Sequence, residues 1–209
     1  MIRILIADDH AVVRQGLIQI VSDTSDIVVS DEAINGREVL AKISKNKYDV
    51  VVLDIGMPDF SGLDILNEIK KEYPKLPVLM LSIYPEEQYA VRALKAGASG
   101  YLTKKVAPEE LIRAIRKVYS GGKYVTSTLA ETLAVSLVKG EKPPHESLSD
   151  REFQVMTMLA EGKRLKDIAK ALFISEKTVS SYKSRIFEKM RMKSNAELIR
   201  YAIKYGLID

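Results

Sequence analysis

The chain has no cysteine among its 209 residues. That excludes a disulfide framework and thiolate metal sites. No apolar run approaches the roughly 20 residues that a membrane span requires. The start, Met1-Ile-Arg-Ile-Leu-Ile-Ala-Asp-Asp9, is too short and too acidic for a signal peptide. Internal repeats and low-complexity segments are also missing. From these absences the protein is expected to be soluble and cytoplasmic, with no membrane partner. Histidine occurs only twice. His10 follows an acidic pair and is expected to cap or border a helix rather than ligate metal. His145 falls in a polar stretch and is expected to be solvated.

The length suits two small domains, each able to bury a core without staples. The formal net charge is +4. All of that excess lies in residues 146–209, and the part before it is balanced. Such asymmetry points to a nucleic-acid partner for the C-terminal half.

Residues 1–120 alternate between apolar strands near 2–7, 27–32, 49–54, 77–82 and 100–103 and helical patterns near 11–22, 36–46, 62–73, 86–96 and 108–120. Strands alternating with helices predict right-handed βαβ units and a parallel sheet covered on both faces. The expected fold is a five-stranded α/β sheet, doubly wound and flavodoxin-like, followed by a small all-α domain. Thr126–Val138 predicts a short amphipathic helix. Lys139–Glu146 is polar and proline-bearing, as linkers are. The tail shows no strand signal and reads as four helices. Ser149-Asp-Arg-Glu152 predicts a capping box with a Leu148/Phe153 staple, and Ser194-Asn-Ala-Glu197 a second box. The expected division is a domain over 1–121, a partly helical linker over 122–146 and a helical domain over 147–209.

Candidate chemistry sits where the strands end, as it does in open α/β sheets. Val50–Leu53 reads as a strand buried on both faces, and it stops at Asp54. The first strand stops at Asp8-Asp9. Three acids crowded together raise each other's pKa, and a hard cation such as Mg²⁺ offsets the repulsion. Later strands end in Ser82 and in Thr103-Lys104. Asp8 and Asp9, with Asp54, are the expected Mg²⁺ ligands. Lys104 can neutralise a phosphoryl group, Ser82 can donate to one, and Asp54 can act as a nucleophile.

In the tail, two helices near 166–172 and 176–190 have helix-turn-helix proportions. Val179, Ile186, Phe187 and Met190 of the second are expected inward, with Tyr182 at the seam. Lys177, Ser180, Ser181, Lys183, Ser184 and Arg185 form a basic, hydroxyl-rich face suited to a DNA major groove.

Asp-Asp after the first strand, Asp54-x-x-Met-Pro58-x-x-x-Gly62, Ser82 and Gly-Tyr-Leu-Thr-Lys104 together resemble a two-component response-regulator receiver domain. Leu148-Ser-Asp-Arg-Glu152, Ile168-Ala169, Ile174-Ser-Glu-Lys-Thr-Val179 and Gly206-Leu-Ile208 resemble a LuxR-type helix-turn-helix domain. The pair is the arrangement of the NarL/FixJ family. The resemblance implies that Asp54 is the phosphoacceptor and that the Gly56 backbone carbonyl joins Asp8, Asp9 and Asp54 on the metal. It implies a Ser82/Tyr101 switch, a sensor histidine kinase as donor, and a homodimer on double-stranded DNA, with RNA polymerase as a further partner. Two departures stand out. Lys105 occupies a place where many receivers have proline, and Ser180-Ser181-Tyr182 follows Thr-Val where many relatives have Lys-x-His. The expected function is phosphorylation-dependent transcription regulation. The protein is expected to be no enzyme beyond accepting its own phosphoryl group and slowly losing it, since Gly56 offers no side chain to steer water. The other readings are an aspartyl-phosphate phosphohydrolase and a regulator that binds DNA without phosphorylation.

Overall fold

The computed structural model describes residues 1–127, 129–131 and 143–208. The chain divides into two compact units, Met1–Leu133 and Ala134–Asp209.

In the first unit, β1 (Ile2–Ala7), β2 (Ile27–Ala33), β3 (Val50–Asp54), β4 (Val78–Ser82) and β5 (Gly100–Thr103) alternate with α1 (Ala11–Ser22), α2 (Gly36–Lys45), α3 (Gly62–Glu72), α4 (Glu86–Lys95) and α5 (Pro108–Tyr119). The sheet order is β2-β1-β3-β4-β5, and every pairing is parallel. Every residue of β3 and β4 is buried, because helices cover both faces. That cover demands continuous apolar runs rather than alternation. Ile4, Ile6, Val50, Val52, Leu79, Leu81 and Leu102 pack with Leu17 and Val21 of α1 and Leu111 and Ile115 of α5. Each such side chain removed from water contributes about 1.5–3 kcal/mol.

The register fixes the rim. Ala7 pairs with Leu53, and Asp54 pairs with Leu81. Asp8 and Asp54 therefore emerge side by side on adjacent strands, with Ser82 one residue beyond Leu81. The order reverses direction between β1 and β3, the switch point where such sheets open a crevice.

The chain past α5 stays on the sheet for several residues. Tyr124 makes a parallel bridge to Gly100, and its N–H donates to the Ser99 carbonyl at 2.8 Å. The Tyr124 hydroxyl donates to Glu110 at 2.7 Å, and the Thr126 hydroxyl to Glu86 at 2.5 Å. A helix does start here: Ala130 N–H donates to the Thr126 carbonyl at 3.0 Å. Most of the helix expected over 126–138, and part of the linker expected over 139–146, lie outside the described residues.

Among the described residues, the second unit holds four α-helices: α6 (Asp150–Ala160), α7 (Leu165–Ala171), α8 (Glu176–Met190) and α9 (Asn195–Lys204). A capping box opens α6, with the Ser149 hydroxyl on Glu152 N–H and the Glu152 carboxylate on Ser149 N–H. Leu148 and Phe153 are both buried beside it. Glu152 also takes an ion pair from Lys189 of α8 at 2.6 Å, which ties the two helices. The Ser194 box forms by half. Its hydroxyl accepts from Glu197 N–H at 3.2 Å, but the Glu197 carboxylate reaches Lys193 N–H instead.

His145 corrects the sequence reading. It is half-buried, because the 3₁₀ turn Pro144–Ser147 folds onto the unit. Its ring lies 5.6–5.9 Å from the rings of Phe153, Tyr201 and Tyr205, and Nδ1 is 2.8 Å from the Tyr201 hydroxyl. Polar neighbours in sequence suggested solvent; three aromatics distant in sequence enclose it instead.

Candidate functional site

Asp8, Asp9, His10 and Asp54 bring ligand atoms within 4.8 Å of one another. Asp8 and Asp54 are buried, at 1% and 3% exposure. Lys104, just after β5, enters between them. Its Nζ lies 2.8 Å from Asp54 Oδ2 and 2.7 Å from Asp8 Oδ2. Burial pushes the Asp54 carboxyl above its ordinary value, Asp8 pushes the same way, and Lys104 opposes them. Lys104 itself is held above the usual lysine range: burial pulls it down, but the two carboxylates outweigh that.

The acidic pair has spare acceptor capacity. Asp8 Oδ2 and Asp9 Oδ1 are buried and accept no aligned hydrogen bond. His10 is the N-cap residue of α1 without a side-chain capping bond; its N–H donates to Asp8 Oδ1 at 2.9 Å, and its Nδ1 lies 2.7 Å from Asp9 Oδ1. Three carboxylates crowded around a single ammonium fit a hard divalent cation, which favours oxygen ligands. Asp8, Asp9 and Asp54 would hold Mg²⁺. Gly56 stands beside them: a β-carbon there would lie 3.3 Å from Asp54 Oδ2.

Ser82 and Tyr101 are fully buried. The Ser82 hydroxyl accepts from Tyr84 N–H at 3.1 Å, and the Tyr101 hydroxyl donates to the Tyr84 carbonyl at 2.8 Å. Both groups therefore grip the same loop, between β4 and α4. The sequence paired Ser82 with Tyr101 but did not indicate that Tyr84 joins them, because the link runs through main-chain atoms.

Helix packing settles the faces of α8. Val179, Ile186 and Met190 are buried, while Phe187 is only half-buried. Phe187 is drawn outward to the edge, where Lys183 Nζ lies 5.4 Å over its ring. Lys177, Ser180, Ser181, Ser184 and Arg185 are exposed, and Lys183 is half-buried. Ser181 and Ser184 donate their hydroxyls to the carbonyls of Lys177 and Ser180, four residues back. Their oxygens stay open as acceptors. The Ser175 hydroxyl accepts from Thr178 N–H at 3.0 Å and starts the helix. Ser175, Lys177, Thr178, Ser181, Tyr182 and Arg185 line one shallow depression of about 300 Å³.

Comparison with known proteins finds a family for each unit. Residues 4–116 match the response regulator receiver domain, and residues 146–202 match the bacterial regulatory proteins of the luxR family. The response regulator UvrY of Escherichia coli K12 is 38% identical over 211 residues, spanning 100% of this chain and 97% of UvrY. The oxygen regulatory protein NreC of Staphylococcus haemolyticus is 38% identical over 215 residues, with 99% of each covered. Among solved structures, the response regulator ChrA of a heme-sensing two-component system is 32% identical with a TM-score of 0.52, covering 99% of this chain and 98% of ChrA. RcsB from Salmonella enterica serovar Typhimurium, bound to promoter P1flhDC with the phosphomimetic BeF3-, is 25% identical with a TM-score of 0.61, covering 96% and 97%. Among the described residues, no helix is long and apolar enough to cross a membrane. A receiver fold with a DNA-binding LuxR-type helix-turn-helix, matched end to end, places this chain in the NarL/FixJ family of two-component response regulators.

Proposed function

We propose that this chain is a transcription regulator whose DNA binding is controlled by phosphorylation of Asp54. The observation that carries this is the Asp54 carboxylate, buried at the sheet's switch point and paired with Lys104, with ligand atoms of Asp8 and Asp9 within 4.8 Å of its own. An Asp54 oxygen attacks the donor phosphorus, the bond from phosphorus to the donor breaks, and the donor leaves with the bonding electrons. A sensor histidine kinase supplies the phosphoryl group. When bound, Mg²⁺ supplies positive charge for the phosphoryl oxygens and lets the acids stay ionised. Lys104 stays at hand to pair with a phosphoryl oxygen. Ser82 can turn its hydroxyl to another, and in doing so gives up Tyr84 N–H. Turnover of other substrates is not part of this reading, since Gly56 places no acid or base beside the nucleophile.

Labelling tests it. With acetyl phosphate and Mg²⁺, label is expected on the wild type and not on Asp54→Asn. The label should persist for minutes, because no side chain at Gly56 aims a water. DNA binding should rise with the label across a pool of genomic fragments. Equal labelling of the two proteins, or no fragment selected under either condition, overturns the reading.

The Thr126–Glu86 bond supplies a route from the loop to the linker. Glu86 is the first residue of α4 and directly follows the Ser82–Pro85 loop. Thr126→Val should leave labelling unchanged while cutting the phosphorylation-dependent gain in DNA affinity several-fold. An undiminished gain would remove Thr126 from the route.

On DNA, two copies of α8 would meet paired half-sites as a homodimer, where RNA polymerase is the further partner. Lys177, Lys183 and Arg185 supply phosphate or guanine contacts, and the serines position them. Replacing Lys177 or Arg185 with alanine should lower the slope of log K against log salt by about 0.9 if each meets one phosphate. Lys183→Ala should also lower it, and should loosen Phe187. A slope unchanged in all three would move the DNA surface off α8.

A further inference from the structure

Arg14 lies one turn into α1 and belongs to none of the sites described so far. Its backbone N–H donates to the His10 carbonyl at 3.1 Å, which closes the first turn. Its side chain runs back to the end of β1. Nη1 donates to the Asp8 carbonyl at 2.9 Å, and Nε donates to Glu32 Oε2 of β2 at 3.1 Å. The Arg14 side chain is 12% exposed and that of Glu32 39%. A guanidinium held in this way is rigid, because its fork is planar and both ends are engaged.

The contact falls on a sensitive peptide. Asp8 N–H already donates to the Ala33 carbonyl at 3.1 Å. The plane before Asp8 is thus held by β2, and the plane joining Asp8 to Asp9 is anchored through Arg14 to α1. That plane sets the direction in which both acidic side chains leave the backbone. These are the two side chains whose oxygens, Asp8 Oδ2 and Asp9 Oδ1, have no aligned donor.

We propose that Arg14, oriented by Glu32, is a positioning residue that aims Asp8 and Asp9 at one divalent cation. The proposal rests on the Mg²⁺ reading above. It touches the main chain of a ligand rather than the ion, so it acts as outer-sphere support does in metal sites.

The sign of the effect separates positioning from simple charge. A cation near a cation site repels the ion, so removing Arg14 by electrostatics alone would tighten Mg²⁺ binding. Loss of positioning weakens it. The experiment is calorimetric titration of the full chain with Mg²⁺, with circular dichroism to check folding. Arg14→Met is expected to raise the Mg²⁺ Kd by about tenfold or more. Arg14→Lys should recover only part of the loss, since one ammonium cannot span the Asp8 carbonyl and Glu32 together. Glu32→Gln, which keeps the charge of Arg14, should raise Kd by a smaller factor. A folded Arg14→Met with an unchanged or lower Kd overturns the proposal. If Arg14→Met does not fold, Arg14→Lys decides: it keeps the positive charge, so a raised Kd supports the brace and an unchanged one overturns it. A wild type that takes up no Mg²⁺ overturns the metal reading and this proposal with it.

Discussion

Lys104→Met is expected to destabilise the N-terminal unit by on the order of 3 kcal/mol in metal-free buffer, because breaking a buried ion pair leaves a charge uncompensated. Lys104 is the largest influence holding the Asp54 pKa down against burial. Its side chain is 10% exposed, and those of Asp8 and Asp54 are 1% and 4% exposed. Without it, three carboxylates face one another with little solvent. The pH dependence follows from the sign. A carboxyl whose folded pKa lies above its unfolded value binds more protons folded than unfolded. Its favourable contribution is present below the unfolded value, near 3.8, and is lost as pH rises through the folded one. The variant should therefore lose more stability than the wild type as pH rises from about 4 toward neutral. Mg²⁺ should restore more stability to the variant than to the wild type, since the ion replaces the missing positive charge. Labelling of Asp54 should slow by on the order of a hundredfold, the usual loss for one donor aimed at a reacting oxygen. The measurements are thermal melts at several pH values with EDTA or Mg²⁺, and the labelling time course. A wild-type melting curve in EDTA would show that Lys104 is no part of the site's charge balance.

The pairing of Lys104 with two acids was only partly legible in the sequence. That five polar residues gather at one rim follows from counting strand ends, because parallel strands are buried on both faces and chemistry is left to their carboxyl ends. The sheet order, and hence which acids stand next to each other, depends on register. Ala7 opposite Leu53 is a pairing across 46 positions that no local pattern encodes. Arg14 shows the same limit. Its partners are a main-chain carbonyl and a residue of β2, which no helical pattern encodes. In the tail, the periodicity gave the faces of α8 but not the state of their groups. Ser181 and Ser184 turned out to bond their own helix, and Phe187 sits at the edge under Lys183. Caps are read well because their partners lie within four residues, as Ser149 and Glu152 do. His145 was misread because its partners lie on α6 and near the end of the chain.

Gly62 carries the other large expected effect. A β-carbon at this position would lie 2.1 Å from the Asp54 carbonyl oxygen, 2.7 Å from Ile55 Cα and 2.8 Å from the Asp54 carbonyl carbon. All three are main-chain atoms of the strand end, so none can swing aside as a side chain would. The need here is close approach, since Gly62 N–H donates to the Ile55 carbonyl at 2.9 Å and pins α3 against β3. Gly62→Ala must push the two elements apart by about an ångström or break that bond. Overpacking of this kind costs about 1–3 kcal/mol, occasionally more, and the backbone clash places Gly62→Ala at the upper end. Because the displaced residue is Asp54 itself, labelling should fall about a hundredfold even where the protein folds; misplacement by an ångström is enough for that. Two other glycines give the comparison. Gly16, on α1, has nothing within 4 Å of its would-be β-carbon. Gly16→Ala should stabilise by about 0.5–1 kcal/mol, because alanine favours a helix over glycine. At Gly56 the nearest atom is a side-chain oxygen at 3.3 Å, so Gly56→Ala should cost less than Gly62→Ala and keep most labelling. Melting temperatures and labelling rates for the three variants rank the sites. A Gly62→Ala protein with wild-type melting and labelling would mean that α3 can move away from Asp54 freely, which the bond between Gly62 and Ile55 argues against.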